Sequence, residues 1–342
     1  MNPMTSPFAH NNSSVRKLML QVQIAAFPAL MAHIYFFGFG ITIQWALAVV
    51  TLILVESLLL KLRHRPVQPY LTDLSGVITV TGLVFCIPPE SPWWIIVSAV
   101  TFALVFGKHL YGGLGYNPFN PAMLGYAFVL ISFPVEVTQW TLPSQVSGHH
   151  ISFMESFQLI FSGQTPASLG LDQITGATPL NEVKTALMQG TSIFTSLEGA
   201  NFNENRIPYG WAAINIAFLL GGLWMLYSRA IRWQYPVGFL GALALMAFIF
   251  HTIDPNQYAP VSFHLLTGGV MLAAFFIITD PVTSSATPIG RLIYAAGIGV
   301  LVYVIRTWGA YPDGIAFAIL IMNMFVPLID QYTPPRVVGY KR

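Results

Sequence analysis

Long apolar runs, separated by short polar segments, cover most of this 342-residue chain. A membrane-spanning helix needs about 20 predominantly apolar residues. The runs that come near this length are 18–38, 41–60, 72–88, 93–111, 119–134, 210–228, 236–253, 259–279, 289–307 and 313–330. Tryptophans such as Trp93, Trp211 and Trp308 lie near the ends of the runs, where amphipathic rings meet the lipid headgroups. The pattern predicts an all-α integral membrane protein with about ten transmembrane helices and one long external loop.

The composition agrees with this interpretation, because 55% of the residues are hydrophobic and 8% are charged, whereas soluble domains carry about 25% charged residues. The formal net charge of +2 is too small to indicate binding to nucleic acid, so membrane lipid is the expected surrounding. The lone Cys86 excludes a disulfide within the chain and a cysteine-clustered metal site, and the eight histidines show no metal-ligand spacing. The first apolar run is long and lacks a cleavage site, so we expect it to be retained.

The positions of lysine and arginine indicate the orientation, because short loops rich in these residues stay in the cytoplasm. With the N-terminus inside, most of the 15 basic residues fall on the cytoplasmic side. The cytoplasmic set is Arg16, Lys17, Lys61, Arg63, Arg65, Lys108, Arg229, Arg232, Arg291, Arg336, Lys341 and Arg342. Lys184, Arg206 and Arg306 make up the external set. We therefore expect a multi-pass protein with both termini cytoplasmic and the long loop outside.

A weak internal repeat relates the two membrane halves. The predicted segments are a first membrane half (1–134), an external loop (135–209) and a second membrane half (210–342). The stretch "SGV" at Ser75 and the later Pro88 match "GGV" at Gly268 and Pro281, with one shared offset of 193 positions. Copies that lie five spans apart have opposite orientations, so we expect a five-plus-five inverted repeat. The prolines indicate either interrupted helices that bind a ligand at membrane depth or simple span ends.

The external loop contains the stretch "LDQITGATPLNEVK" from Leu171 to Lys184. Thr178 is followed by Pro179 and then by good helix formers, which predicts a helix with Thr178 as its N-cap and proline in the first position. A phosphate group on Thr178 would lie at the positive end of this helix, beside backbone N–H groups. The spacing alone fits equally an ordinary capped helix without a further role.

The seven residues from Asp172 to Thr178 match, position for position, the pattern D-x-x-[S/T]-G-A-[S/T] that a flavin transferase uses as its target. The order of spans and the stretches "GYNPFNPAMLGYAF" and "TDPVTSSATP" resemble the NqrB/RnfD family. This family comprises the RnfD/RsxD membrane subunits of the Rnf/Rsx electron-transport complex and the NqrB subunits of the Na⁺-translocating NADH:quinone reductase. The resemblance extends over nearly the whole chain.

The resemblance implies FMN attached to Thr178 through a phosphoester, with Asp172 and Thr175 in the recognition motif. The small Gly176 and Ala177 leave the approach open to a bulky group. By the same resemblance, the hydroxyl of Thr178 receives the cofactor on the external face of the membrane.

The resemblance also implies a second, non-covalent flavin, riboflavin, within the membrane domain. Asn117, Asn120 and Asp280 are polar groups beside the predicted helix breaks of the two repeat copies. They are candidate contacts for the edge of the flavin ring. Their alternative role is to satisfy the backbone groups of broken helices.

A second stretch, "TSSATP" ending at Pro288, looks similar to the flavin motif. Pro281 stands where the motif requires an acid, and the predicted loop is cytoplasmic. We therefore expect Thr287 to remain unmodified.

Two charged residues inside or near the spans suggest further roles. Glu56 lies within the second apolar run, where an ionisable side chain is a functional candidate by default. It lies five residues before Lys61, so it could also extend to the cytoplasmic interface. Arg306 breaks the charge pattern near the outer end of the ninth run, with Asp313 as its candidate partner.

These features predict a component of a bacterial inner-membrane redox complex, not a complete enzyme. The chain carries no dinucleotide fingerprint, P-loop or cysteine cluster, so iron-sulfur and other flavin subunits must supply that chemistry. The resemblance implies ferredoxin and NAD at the ends of the electron chain, coupled to Na⁺ or H⁺ movement. For the Rsx variant it implies reduction of an oxidative-stress regulator. A flavin transferase would act during maturation.

Two alternatives come from other functional classes. A secondary transporter is favoured by the inverted repeat and the interrupted helices taken alone. A cofactor-free scaffold would hold redox partners in the membrane. Both alternatives predict a colourless chain, and the transporter also predicts that Thr178→Ala leaves function intact.

Overall fold

The computed structural model describes residues 15–113, 115–164, 174–193, 197, 202, 208 and 210–335. Helices dominate this part of the chain, and every apolar run named above contains helical residues. In chain order the elements are α1 (Val15–Phe37), α2 (Gly40–Leu62), α3 (Val67–Thr72), α4 (Ser75–Val84), α5 (Trp93–Phe102, continued by a π-helix at Ala103–His109), α6 (Pro121–Ser132), α7 (Pro134–Thr138), β1 (Trp140–Thr141), α8 (Ser144–Ser147), α9 (Phe153–Ser162), β2 (Thr175–Gly176), α10 (Pro179–Gln189), α11 (Trp211–Tyr227), α12 (Gln234–Ile253), α13 (Val261–Leu266), α14 (Val270–Leu272, continued by a π-helix at Ala273–Ile277), α15 (Pro288–Trp308) and α16 (Ile315–Tyr332).

Five of the described helices are long and apolar enough to cross a membrane: α1, α2, α12, α15 and α16. The apolar helices α4, α5, α6 and α11 are shorter. A bilayer core about 30 Å thick requires roughly 20 helical residues. The structure therefore supports a helical membrane protein, while ten spans and the inverted repeat stay predictions.

The apolar runs are interrupted at positions other than the two matched prolines. Leu74 has φ +65° immediately before α4, and Gly268 has φ +62° between α13 and α14. Pro88 and Pro281 lie in the connections that follow helices, so these prolines end apolar runs and do not interrupt them. A Cβ on Gly268 would lie 2.5 Å from Oδ2 of Asp313, so the second break requires glycine for space as well as for conformation.

Small residues bring the helices of the core close together. A Cβ on Gly221 in α11 would overlap the carbonyl oxygen of Ala25 in α1. A Cβ on Gly299 in α15 would lie 2.5 Å from the carbonyl oxygen of Phe239 in α12. Close backbone approach of this kind is typical of helix packing in lipid, where van der Waals contact provides much of the attraction. It fixes the spacing of two helix pairs in the membrane domain.

The described part of the external loop folds onto the ends of the membrane helices. β1 and β2 pair in antiparallel register, and α10 follows β2 directly. Leu180 and Val183 of α10 form an apolar cluster with Ala259 and Phe263 near α13. This packing joins the loop to the second membrane half.

Glu56 does not extend to the cytoplasmic end of α2. Its carboxylate is 1% exposed and accepts a hydrogen bond from Nζ of Lys108 at 2.5 Å. Lys108 lies in the π-helix that continues α5, and its side chain is 3% exposed. The interfacial interpretation of Glu56 is therefore wrong, since its charge is paired inside the protein.

Glu90 lies between α4 and α5 and connects three parts of the fold. Oγ of Ser156 in α9 donates to Oε1 of Glu90 at 2.8 Å, and the N–H of Gly40 at the start of α2 donates to the same carboxyl group. Burial raises the pKa of Glu90 to about 7, and the charge of Glu155 raises it further, although both hydrogen bonds act in the opposite direction. Glu90 therefore titrates near neutral pH.

We expect Glu90→Gln to stabilise the protein at pH 8 and to have less effect at pH 5. The folded state holds the Glu90 proton up to about pH 7, whereas an unfolded chain releases it near pH 4.3. Wild-type stability therefore falls as the pH rises between these values and then levels off. The neutral amide removes this loss, and the variant should unfold several degrees higher at pH 8. Thermal unfolding followed by tryptophan fluorescence in detergent measures the difference.

Glu155→Gln provides the matched control. Its carboxylate accepts hydrogen bonds from the backbone N–H and Oγ of Ser152, each at 2.8 Å, and these bonds lower the pKa of Glu155. Because this carboxyl is ionised in both states above pH 5, its substitution should lower stability while keeping most of the pH dependence. Identical pH profiles for wild type and Glu90→Gln would contradict the assignment.

Candidate functional site

Thr178 is the N-cap of α10, as the sequence predicted. Its backbone is extended, Oγ1 accepts a hydrogen bond from the N–H of Asn181 at 3.2 Å, and Pro179 takes the first helical position. The side chain is half-buried. Its hydroxyl therefore lies at the positive end of a helix, and a group attached to it would meet backbone donors.

The short β1–β2 ribbon holds the segment before Thr178. Thr175 pairs with Thr141, and Gly176 pairs with Trp140. A Cβ on Gly176 would lie 2.6 Å from Cδ2 of Leu142. Gly176 is therefore required for close packing, and the interpretation that it keeps the approach open is wrong.

The other motif residues lie in different settings. Ala177 is exposed, which agrees with an open approach to Thr178. Thr175 is half-buried within β2. Asp172 lies outside the described residues, so its recognition role stays a prediction.

A cavity of about 1040 Å³ lies beside Thr178, and we call it the Thr178 cavity. Its walls are mainly aromatic and apolar, with Phe85, Tyr126, Leu130, Trp140, Trp211 and Phe218 among the lining residues. Its polar lining residues include Thr178, Asn181, His33, Cys86 and Asp313. Nδ1 of the buried His33 has no hydrogen-bond partner among the described residues. Apolar walls with a few polar groups are typical of cofactor sites of about 300–1,000 Å³.

Lys184 and Arg306 fix the helix that carries Thr178. Nζ of Lys184 in α10 donates to the carbonyl oxygens of Arg306 at 3.1 Å and Thr307 at 3.3 Å. These carbonyls belong to the last turn of α15, where a cation is favourable. Arg306 in turn forms an ion pair with Asp313 at 3.2 Å, which confirms the predicted partner. Two of the external basic residues thus have structural roles.

A second cavity of about 1670 Å³ lies at the opposite end of the helices, and we call it the Asp280 cavity. Helix α1 shows the separation, because His33 lines the first cavity whereas Leu18 and Gln23 line the second. The three residues suggested as riboflavin contacts, Asn117, Asn120 and Asp280, all line the second cavity. The structure thus brings together residues that are far apart in sequence.

These three residues differ in how far their polar groups are already engaged. Asn120 caps α6, since its Oδ1 accepts from the N–H of Met123 at 3.1 Å, as the backbone-satisfying alternative predicted. Asp280 accepts from Oγ1 of Thr283 at 2.9 Å and from a backbone N–H. Oδ1 of the buried Asn117 has no hydrogen-bond partner among the described residues. Asn117 therefore offers an acceptor to a ligand.

The two cavities share part of their walls. Phe85, Leu272 and Ile277 line both of them. At this point a single layer of side chains separates the two spaces. The arrangement places two cofactor-sized sites next to each other along the helix direction.

The chain matches the NQR2, RnfD, RnfE family over residues 3–339. It belongs to this family. The RnfD protein of the ion-translocating oxidoreductase complex of Yersinia enterocolitica is 48% identical to it over 345 residues, covering 99% of this chain and 98% of the relative. The proteins of the same name from Aliivibrio salmonicida and Escherichia coli are 47% and 45% identical over 345 residues, with the same coverage. The relatives match the chain over almost its entire length.

Within this family member, Thr287 shares the cap geometry of Thr178 but not its surroundings. Oγ1 of Thr287 accepts from the N–H of Gly290 at 3.0 Å and also bonds Oγ1 of Thr333 at 2.6 Å. Thr287 does not line either of the two cavities. Its modification state stays a prediction, and these contacts agree with an unmodified hydroxyl.

Sequence reasoning missed two polar residues of the cavities. His33 lies in an apolar run, and its only signal was a lone imidazole among aliphatic neighbours. Lys108 was placed at a cytoplasmic span end, but it lines the Asp280 cavity. The unpaired Glu56 inside the second run was the signal that could have suggested a buried cation.

We expect Lys184→Met to loosen α10 without unfolding the membrane domain. The variant loses two charge-assisted hydrogen bonds, each worth about 1.5–3 kcal/mol, so local opening of α10 should become at least about tenfold more frequent. Hydrogen–deuterium exchange of peptides covering 179–189 measures this change. Lys61→Met, at an exposed position near the end of α2, is the control. Unchanged exchange in Lys184→Met would show that apolar packing alone holds the helix.

Proposed function

We propose that the chain is a membrane component of an ion-translocating oxidoreductase complex and relays electrons between two flavins. FMN is attached to Thr178 through a phosphoester, and riboflavin is bound without a covalent bond in the Asp280 cavity. The observation that carries the proposal is the shared wall of the two cavities, one lined by Thr178 and the other by Asn117, Asn120 and Asp280. Flavins supply one- and two-electron chemistry when bound.

The residues around Thr178 fit a phosphoester-linked flavin. The hydroxyl caps α10, so a phosphate on it would meet N–H groups of the first turn. The aromatic walls, including Trp140 and Trp211, suit a planar ring system. Nδ1 of His33 is a buried polar atom that a ring edge could satisfy. Thr178 thus holds the cofactor, and the cavity walls exclude water from it.

The Asp280 cavity fits a second ring of the same kind. Asn117 offers an acceptor without a partner in the described structure, while Asn120 and Asp280 mainly hold the backbone of the cavity wall. Tyr235 and Arg291 also line this cavity. The site therefore combines apolar surface with a small number of polar groups.

The relatives are named as members of a multi-subunit complex, and by analogy this chain works with iron-sulfur and flavin subunits in a bacterial inner membrane. Electrons pass between ferredoxin and NAD at the ends of that chain, coupled to Na⁺ or H⁺ movement. Both termini are cytoplasmic and the Thr178 loop is periplasmic. A flavin transferase supplies FMN from FAD, as the hydroxyl of Thr178 attacks the pyrophosphate and AMP leaves.

We expect the wild-type band to fluoresce under ultraviolet light after denaturing electrophoresis, and the Thr178→Ala band to be dark. The covalent linkage survives denaturation, whereas bound riboflavin does not. Expression with and without the flavin transferase gives a second comparison, because an unmodified chain should be dark as well. The measurement is in-gel fluorescence before staining.

Thr287→Ala is the matched control, because Thr287 occupies the same cap position before a proline. Its band should fluoresce as strongly as wild type. A dark wild-type band despite active transferase would overturn the covalent-flavin proposal. Fluorescence that persists in Thr178→Ala would move the attachment to another hydroxyl.

We expect Gly82→Trp to remove the non-covalent flavin and to keep the covalent one. Gly82 lines the Asp280 cavity, and a Cβ there would meet only Cβ of Ala122 at 3.9 Å. An indole can therefore fill the cavity without a backbone clash. Flavin released by acid from the purified complex should fall at least about tenfold per chain, while the in-gel signal is unchanged.

Gly241→Trp serves as the control for Gly82→Trp. Gly241 is exposed on α12 and has no atom within 4 Å of its added Cβ. It should retain the acid-released flavin. Retention of that flavin in Gly82→Trp would place the second cofactor outside the Asp280 cavity.

A further inference from the structure

A buried charge network lies directly behind the wall of the Asp280 cavity. Nζ of Lys108 donates to Oε1 of Glu56 at 2.5 Å and to Oγ of Ser75 at 3.4 Å. Nε2 of His109 lies 3.7 Å from the same Oε1. Oγ of Ser75 donates in turn to Oδ1 of Asp73 at 2.7 Å. The network joins α2, α4 and the π-helix after α5.

The network is not saturated by the protein. Oε2 of Glu56 and both ring nitrogens of His109 have no hydrogen-bond partner among the described residues. Burying an ion pair costs several kcal/mol in desolvation, which mutual attraction offsets only when the remaining polar atoms are satisfied. Apolar side chains of similar size would often stabilise such a position as well. The network is therefore poorly explained by stability alone.

The order of the charges relative to the cavity is defined. Lys108 and Ser75 line the Asp280 cavity, whereas Glu56 does not. The ammonium group therefore lies between the carboxylate and the space that a cofactor would fill. A negative charge that develops in the cavity would face Lys108 first.

The other charged groups at the cavity are less effective. Arg232 is exposed, so solvent screens its charge. The guanidinium of Arg291 donates to the carbonyl oxygens of Ser285 and Ala286. Asp280 contributes a carboxyl group that accepts two hydrogen bonds. Lys108 is 2% exposed, and charges act most strongly where water is excluded.

We propose that Lys108 sets the reduction potential of the cofactor in the Asp280 cavity, and that Glu56 opposes its effect. The inference rests on the proposed function. One electron leaves the flavin on Thr178 and enters the flavin in the Asp280 cavity, which gains one negative charge; no bond forms or breaks and no proton is required. The ammonium of Lys108 stabilises that added charge. The carboxylate of Glu56 reduces this stabilisation.

The test is a redox titration of the purified complex at fixed pH, following the acid-releasable flavin by absorbance. Lys108→Met should make reduction less favourable by at least about tenfold, which is a negative shift of about 59 mV for one electron. Glu56→Gln should shift the potential in the positive direction. Lys108→Arg keeps the charge and should stay close to wild type. Shifts of opposite sign are not expected from a structural role.

The double variant Glu56→Gln/Lys108→Met covers the case in which Lys108→Met alone fails to fold, since it leaves no buried charge without a partner. Its potential should lie below that of Glu56→Gln. Equal potentials in these two variants, with flavin retained, would overturn the role of Lys108 and leave the proposed function in place. Absence of acid-releasable flavin from the wild-type complex would instead overturn the proposed function.

Discussion

The buried guanidinium of Arg306 is the interaction on which the Thr178 side of the structure depends. Its NH1 donates to the carbonyl oxygen of His264 at 3.0 Å, and its NH2 donates to that of Thr267 at 3.3 Å and to Asp313 at 3.2 Å. The break at Gly268 leaves carbonyls of α13 without helical partners, and arginine offers several donors in a fixed geometry. Since Lys184 binds the carbonyl oxygen of Arg306, the same residue also positions α10.

Interrupted helices create polar space inside an apolar fold, and charged side chains then occupy its edges. Asn215 illustrates the first step, because its amide donates to the carbonyl oxygen of Gly268 at 2.9 Å and accepts from the N–H of Met271 at 3.1 Å. In lipid such backbone groups must find partners within the protein. The side chains that satisfy them leave room on either side of Leu272, where the two cavities meet. The cavities are therefore a consequence of how the breaks are satisfied.

The sequence predicts the local features well and the long-range ones poorly. Apolar runs located the helices, and a threonine before a proline located the cap of α10, because both signals depend on neighbours in the chain. The pairing of Arg306 with Asp313 was also accessible, since the residues are seven positions apart. Glu56 and Lys108 are 52 positions apart, and each had a plausible interfacial role when considered singly. Their contact follows from the packing of α2 against the π-helix, which no local pattern encodes.

Thr178 and Thr287 show why a motif is not a site. Both threonines cap a helix that begins with proline, and both accept a hydrogen bond from the third N–H beyond them. Local sequence determines this much, since capping involves only the adjacent turn. The hydroxyl of Thr287 has a second partner in Thr333, whereas Thr178 faces a cavity. Chemical availability is thus decided by elements distant in sequence, and for Thr178 those elements are held in place by Lys184 and the end of α15.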